Sequence, residues 1–129
     1  MDRVRFVTHK GKQILLADYT NCARQTLLDI LAERDRIVLA QPPGSLLTLA
    51  DVTGVETSKE VFEEAKKLAV RERDRVKRAA IVGIESVPKV LFDALKTFAA
   101  RDYHTFPTRE AALDWLVQED SEAAEKKDG

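Results

Sequence analysis

The sequence predicts a single-domain α/β fold: a mixed, mostly parallel sheet in the element order ββαβαβαβα, with helices packed on the sheet. Three observations carry this. Short compact apolar runs alternate with longer segments of helical apolar spacing, the pattern of strands linked by crossover helices. The chain opens instead with two strand-like runs around a glycine-containing turn, which adds one antiparallel pair. And 129 residues, 44% hydrophobic and 33% charged, are enough for one core under a charged surface without disulfides or metal.

Val4 to Thr8 alternates as a first strand, and His9-Lys10-Gly11-Lys12 is a turn in which glycine accepts positive φ. Gln13 to Asp18 is the second strand. Thr20 or Asn21 is the expected cap of a helix running to about Ala40, with Leu27, Leu28, Ile30, Leu31 and Val38 near helical spacing. Gln41-Pro42-Pro43-Gly44 ends it. Ser45 to Asp51 is short and apolar, a buried strand. Thr57 and Glu60 fit a capping box, and Val61, Phe62, Ala65, Leu68, Ala69 and Val76 form the clearest amphipathic stripe in the chain. Ala79 to Ile84 is the next strand. Ser86 before Pro88 suggests a cap and first turn for a helix with Val87, Val90, Leu91, Ala94, Leu95 and Phe98 inward. Tyr103 to Phe106 is the last strand, and Pro107-Thr108 starts a helix that points Ala112, Trp115 and Leu116 inward.

The formal net charge of -1 disfavours a strongly basic nucleic-acid binder and an acidic disordered chain. Cys22 is the one cysteine, so no internal disulfide is expected and a reducing cytoplasm is the simplest location. The opening Met-Asp-Arg-Val-Arg-Phe carries no secretory pattern, and no transmembrane segment is expected. The domain is placed over residues 1–118. The remainder, 119–129, is almost all charged or small and is expected to be a disordered tail.

Asp51-Val52-Thr53-Gly54-Val55, Ala79-Ala80-Ile81-Val82-Gly83-Ile84 and the stretch from Phe106 through Trp115-Leu116 together resemble STAS-type domains related to the sporulation anti-sigma-factor antagonist. The nearer likeness is to the bacterial antagonist-like branch, over roughly Val4 to Val117. The resemblance implies a mixed sheet flanked by helices and a protein-binding, regulatory module rather than an enzyme. In phosphorylated antagonists the switch is a serine at the start of the second helix, within Asp-Ser, a small residue, then Gly. Glu56-Thr57-Ser58-Lys59 stands there, with Glu for Asp, Thr for Ser and Lys for Gly. The branch is also similar to CRAL-TRIO lipid-carrier domains, which implies a small apolar ligand as the alternative.

The candidate switch or partner-binding residues are therefore Asp51, Thr53, Thr57 and Ser58. A helix N-terminus favours phosphate at Thr57 or Ser58; plain capping is the commoner use of such residues. Asp51 ends a central strand, where open α/β sheets bind ligands; a carboxylate bonding the next loop is more usual. The candidate apolar pocket lies between the sheet and the third helix, near Val87, Leu91 and Phe98, and a drug-sized ligand needs about 300 Å³ there. An unfavoured third reading, an enzyme, pairs Asp51 with His104. No catalytic residue, cofactor or metal site is predicted: Gly83 before Ser86 falls short of a phosphate loop, and His9, His104 and Cys22 lack partners at ligand spacing. Lys66 to Arg78 is rich in Lys and Arg, but interleaved Glu and Asp make it a solvated helix face and not a nucleic-acid surface. The partner is then expected to be a protein or a second copy, or a small apolar ligand.

Overall fold

The hairpin forms as the sequence suggests. In the computed structural model, which describes residues 2–101 and 103–118, β1 (Val4–His9) pairs antiparallel with β2 (Lys12–Asp18), His9 opposite Lys12. Lys10 and Gly11 have φ of 49° and 81°, the two successive left-handed residues that let a two-residue turn follow the strand twist. The expected charged tail, 119–129, lies outside the described residues.

From β2 onward strands and helices alternate: α1 (Arg24–Leu39), β3 (Leu46–Asp51), α2 (Lys59–Glu72), β4 (Val76–Val82), a 3₁₀ turn (Ile84–Ser86), α3 (Lys89–Ala99), β5 (His104–Phe106) and α4 (Arg109–Leu116). The sheet order is β1-β2-β3-β4-β5, and every pair after the first is parallel. The order never reverses. Crossovers between parallel strands are right-handed, so successive steps in one direction put α1, α2 and α3 on the same face. α4, followed by no strand among the described residues, covers the opposite face. A sheet without a reversal has no switch-point crevice of the kind that binds ligands in doubly wound folds, so a strand-end position does not by itself make Asp51 a ligand residue.

Side-chain alternation separates two cores. Leu15, Ala17, Leu46 and Ala79 meet Leu27, Ile30, Leu31, Val38 and Leu68 under α1 and α2. Ile14, Leu16, Leu47, Leu49, Ala80 and Val82 meet Ala112, Trp115 and Leu116 under α4. Pairing slips between Leu46 and Leu47, opposite Val76 and Arg78. The resulting bulge puts Val76 in the α1–α2 core, while the Arg78 Nη1 donates to the carbonyls of Leu116 and Gln118 at the end of α4.

The helix starts differ from the sequence expectation for local reasons. Neither Thr20 nor Asn21 caps α1: the Thr20 hydroxyl donates to Asp18 Oδ1 at 2.6 Å, Asn21 is left-handed (φ 56°), and the N-cap is Ala23. Ser58, not Thr57, caps α2, its Oγ accepting from the Val61 N–H at 3.2 Å. Glu60 is drawn instead into a two-bond pair with Arg24 of α1, at 2.6 and 2.9 Å. Ser86 does not cap α3. Its Oγ accepts from the Gly54 N–H at 2.8 Å, and α3 begins after Pro88. β4 starts at Val76 rather than at Ala79 because Lys77 and Arg78 break the apolar run without breaking the strand.

Candidate functional site

A cavity of about 200 Å³ lies between the sheet and the α2–α3 pair. Its floor is small: Thr48, Ala50 and Ala79 with Ile81 from β3 and β4. α2 supplies one wall through Val61, Phe62, Ala65, Leu68 and Ala69, and Val87, Leu91, Phe92 and Leu95 close it from the α3 side. The alanines explain the space, since each leaves unfilled what a larger aliphatic would occupy. α3 contributes the rest. Its principal helix contact is α2, not a strand, and Ala99 is its one buried residue. The apolar stripe of α3 is thus half-exposed over a gap rather than pressed on the sheet.

Of the sequence-predicted pocket residues, Val87 and Leu91 line the cavity. Phe98 does not: it is 52% exposed, with the Lys66 ammonium 4.3 Å from its ring centre. The helical spacing that aligns Phe98 with Leu91 carries it past the cavity to the α2 edge, where a cation covers its face.

One flank of this apolar space is polar. Tyr19, Arg34, Glu72, Arg101 and Tyr103 all line it. Arg34 donates to Glu72 Oε1, and Glu72 is 2% exposed with its Oε2 buried and without a hydrogen-bond partner among the described residues. Arg71 and Asp35 pair beside them, linking α2 to α1. Burial pushes the Glu72 carboxyl up to about 7; Arg34 pulls it back down, while the adjacent Asp35 adds to the rise. Burial likewise pushes the Tyr19 hydroxyl up to about 12 and raises Tyr103. Burial works against the charge of Arg34, yet Glu72 and the two phenols keep its pKa above the ordinary value. Arg101 bonds the Arg73 and Val76 carbonyls at 3.0 and 2.6 Å, which anchors the turn into β5.

These five residues escaped the sequence reading, although a signal was present. Arg34 lies four after Ile30 and four before Val38, and Glu72 lies four after Leu68. Both occupy the inward stripe of their helices, and opposite charges at core positions of consecutive helices mark a buried pair.

The strand-end candidates are held by internal bonds. Arg109 Nε donates to Asp51 Oδ2 at 2.7 Å, and Thr53 donates to Asp51 Oδ1 through Oγ1 at 2.7 Å and through its N–H at 3.1 Å. Arg109 also reaches Asp18 Oδ1 at 3.3 Å, fastening α4 to the ends of β2 and β3. Although partial burial raises it, Asp18 is held below the usual carboxylate range by Thr20, Arg109 and Arg3. His104 stacks on Trp115, ring centres 4.4 Å apart, and Asp51 takes Arg109 as its partner, so the Asp51–His104 enzyme pairing finds no support. Thr57 is exposed and Ser58 half-buried, both at the cavity wall.

Much of the Lys66–Arg78 basic stretch is used inside the fold: Lys66 and Lys67 pair with Glu63 and Glu64, Arg71 with Asp35, and Arg75 donates to the Leu39 and Gln41 carbonyls. Among the described residues no group of His, Cys, Asp and Glu could hold a metal ion, and no helix is long and apolar enough to cross a membrane.

No protein-family model matches the chain. No curated protein matches it either. Among solved structures it is similar to the crystal structure of an uncharacterised protein of the DUF3478 family with a SpoIIAA-like fold from Shewanella loihica PV-4. The TM-score is 0.65 at 16% identity, over 88% of this chain and 91% of that one. Likeness at this identity is likeness of backbone, and it agrees with the element order, the single antiparallel pair and the helical layers described above. This chain has a SpoIIAA-like fold.

Proposed function

We propose that the protein is a non-enzymatic binding module, a carrier or sensor that takes a small apolar, lipid-like ligand between its sheet and α2–α3. The observation that carries this is the 200 Å³ apolar cavity roofed by a half-exposed α3. An engineered apolar cavity of about 150 Å³ elsewhere stays dry and binds benzene, so the space suits a ligand of that order, smaller than a drug-sized one. α3, resting mainly on α2, can yield to admit it. A cytoplasmic setting fits the lone buried Cys22.

The test is a titration with octan-1-ol, followed by backbone amide NMR. Shifts confined to α2, α3, β3 and β4, and lost when Ala65→Phe fills the space, are expected. Absence of any saturable shift would reject the cavity as a binding site.

A second reading, a regulatory module that docks a protein partner, is favoured by the apolar side chains that α3 leaves outward, Val90 at 73% and Phe98 at 52% exposure. Asp51 and Thr53 would then shape the docking end, and the exposed Thr57 or the half-buried Ser58 would carry the modulating charge. Unchanged partner capture after Val90→Ser with Phe98→Ser would count against it.

A further inference from the structure

We propose that the ligand is a small carboxylate amphiphile, its apolar body lying along α2 and its carboxylate accepting hydrogen bonds from the Arg34 guanidinium and the Tyr19 and Tyr103 hydroxyls. This rests on the cavity reading above and adds the chemistry of the head group.

The polar flank is rich in donors. Arg34 and Arg101 are permanently charged donors, and Tyr19 and Tyr103 are phenols held protonated by burial. Arg34 carries five N–H groups, and its hydrogen bond among the described residues goes to Glu72 Oε1 through Nη1. Among the described residues, Glu72 is the one carboxylate lining the cavity. Arg71 and Asp35 beside the cavity cancel as a pair, so among the described lining residues the guanidiniums of Arg34, Arg73 and Arg101 stand against the carboxyl of Glu72, a surplus of positive charge. A cationic head would add to that surplus, and an alcohol would leave it uncompensated. A carboxylate neutralises it and suits the geometry of a guanidinium.

The buried Oε2 of Glu72 takes no hydrogen bond from the described donors, and its carboxyl lies against that of Asp35. Facing Glu72 are Arg34 and Asp35 from α1, Tyr19 from the β2–α1 loop, Tyr103 from the α3–β5 loop, and Arg71 on its own helix. Burial and Asp35 already bias Glu72 toward its neutral form. A second carboxylate arriving beside it completes that bias. Glu72 takes up a proton, and its hydroxyl becomes another donor to the ligand or to Asp35. Affinity for a carboxylate therefore strengthens as pH falls from 8 to 6, while affinity for an alcohol of equal length does not.

Octanoate and octan-1-ol are the probes, titrated at pH 6 and pH 8 by calorimetry with amide NMR to locate the site. At pH 6 octanoate is expected to bind about tenfold tighter than octanol or better, the size of one charge-assisted hydrogen bond, and the ratio is expected to shrink at pH 8. Tyr19→Phe with Tyr103→Phe should bring the ratio toward one, with a dispersed amide NMR spectrum reporting that the variant is folded. If that double variant does not fold, Tyr103→Phe alone should lower the ratio, and Glu72→Gln should abolish its pH dependence. Octanol binding as tightly as octanoate would overturn the carboxylate assignment and leave the cavity reading standing. Octanoate shifts lying outside the cavity would overturn it as well. If neither probe binds, the cavity reading fails and this inference falls with it.

Discussion

Glu72 makes the stability of this protein fall as pH rises through a window where most acidic groups are silent. Its carboxyl is 2% exposed and is pushed from an ordinary 4.5 up to about 7 in the fold. Between those values the folded state holds a proton that the unfolded chain has released. Unfolding then releases a proton, so stability decreases with rising pH until the group is ionised in both states. At about 1.4 kcal/mol per pKa unit, the loss across the window is on the order of 3 kcal/mol. Asp18 and Asp114 are held below the usual range by hydrogen bonds and neighbouring cations, so what they contribute is present at neutral pH and lost only in stronger acid. The comparison is wild type against Glu72→Gln, which keeps the shape and an acceptor for Arg34. Urea unfolding at pH 5, 6, 7 and 8 can follow the fluorescence of Trp115, the only tryptophan and 8% exposed. The variant carries a pH-independent offset, and all other groups cancel. The stability of wild type relative to the variant should drop by about 2.5 kcal/mol over this range, part of the window lying below pH 5. A gap that stays constant with pH would show that Glu72 is an ordinary ionised partner of Arg34 and would refute the reasoning.

Three further perturbations have defined outcomes. Arg109→Ala strips the 6%-exposed Asp51 of its cation and should cost about 2 kcal/mol; an unchanged melting temperature would mean that α4 is held by Trp115 and Leu116 alone. Ser58→Ala should cost about 1 kcal/mol as a lost N-cap, whereas Thr57→Ala should stay within about 0.5 kcal/mol, a contrast that urea titration resolves and that reverses if Thr57 is the true cap. Gly83→Ala should destabilise by more than about 2 kcal/mol, because at φ 81° its Cβ would sit 2.2 Å from Thr53 Oγ1 and 2.6 Å from the Thr53 backbone N; a stable variant in the same assay would contradict that crowding.

The elements were legible because each rests on local rules: the Lys10-Gly11 turn, the apolar runs of β3 and β4, the stripe of α2, the Thr108 start of α4, whose Oγ1 accepts from the Ala111 N–H. What the sequence hides is mostly nonlocal. Gly54 claims the Ser86 hydroxyl from across the strand ends, 32 residues away in the chain; the Thr20 cap fails nearer home, its hydroxyl donating to Asp18 two residues back. Glu60 fits a capping box by spacing, but Arg24 of another helix outbids the backbone for it. Periodicity places Phe98 inward without saying where the sheet stops. The site divides the same way. Its apolar half, Val87 and Leu91, followed from helix spacing, while its ionisable half depends on Arg34 and Glu72 meeting across two helices, which charge patterning alone reads as exposed surface.

The one-directional strand order has a consequence for how the chain becomes a protein. Residues up to Phe106 can build the whole sheet and cover one side of it with α1, α2 and α3, yet Ile14, Leu16, Leu47, Leu49 and Val82 on the other side wait for a single eight-residue helix. During synthesis from the N-terminus that greasy surface stays bare until the last described segment has emerged. α4 is then a closing flap fixed by the Arg109 latch at one end and the Arg78 bonds at the other. Chains stalled or cut before Pro107 would expose a flat apolar sheet face, the form most prone to stick to its own kind.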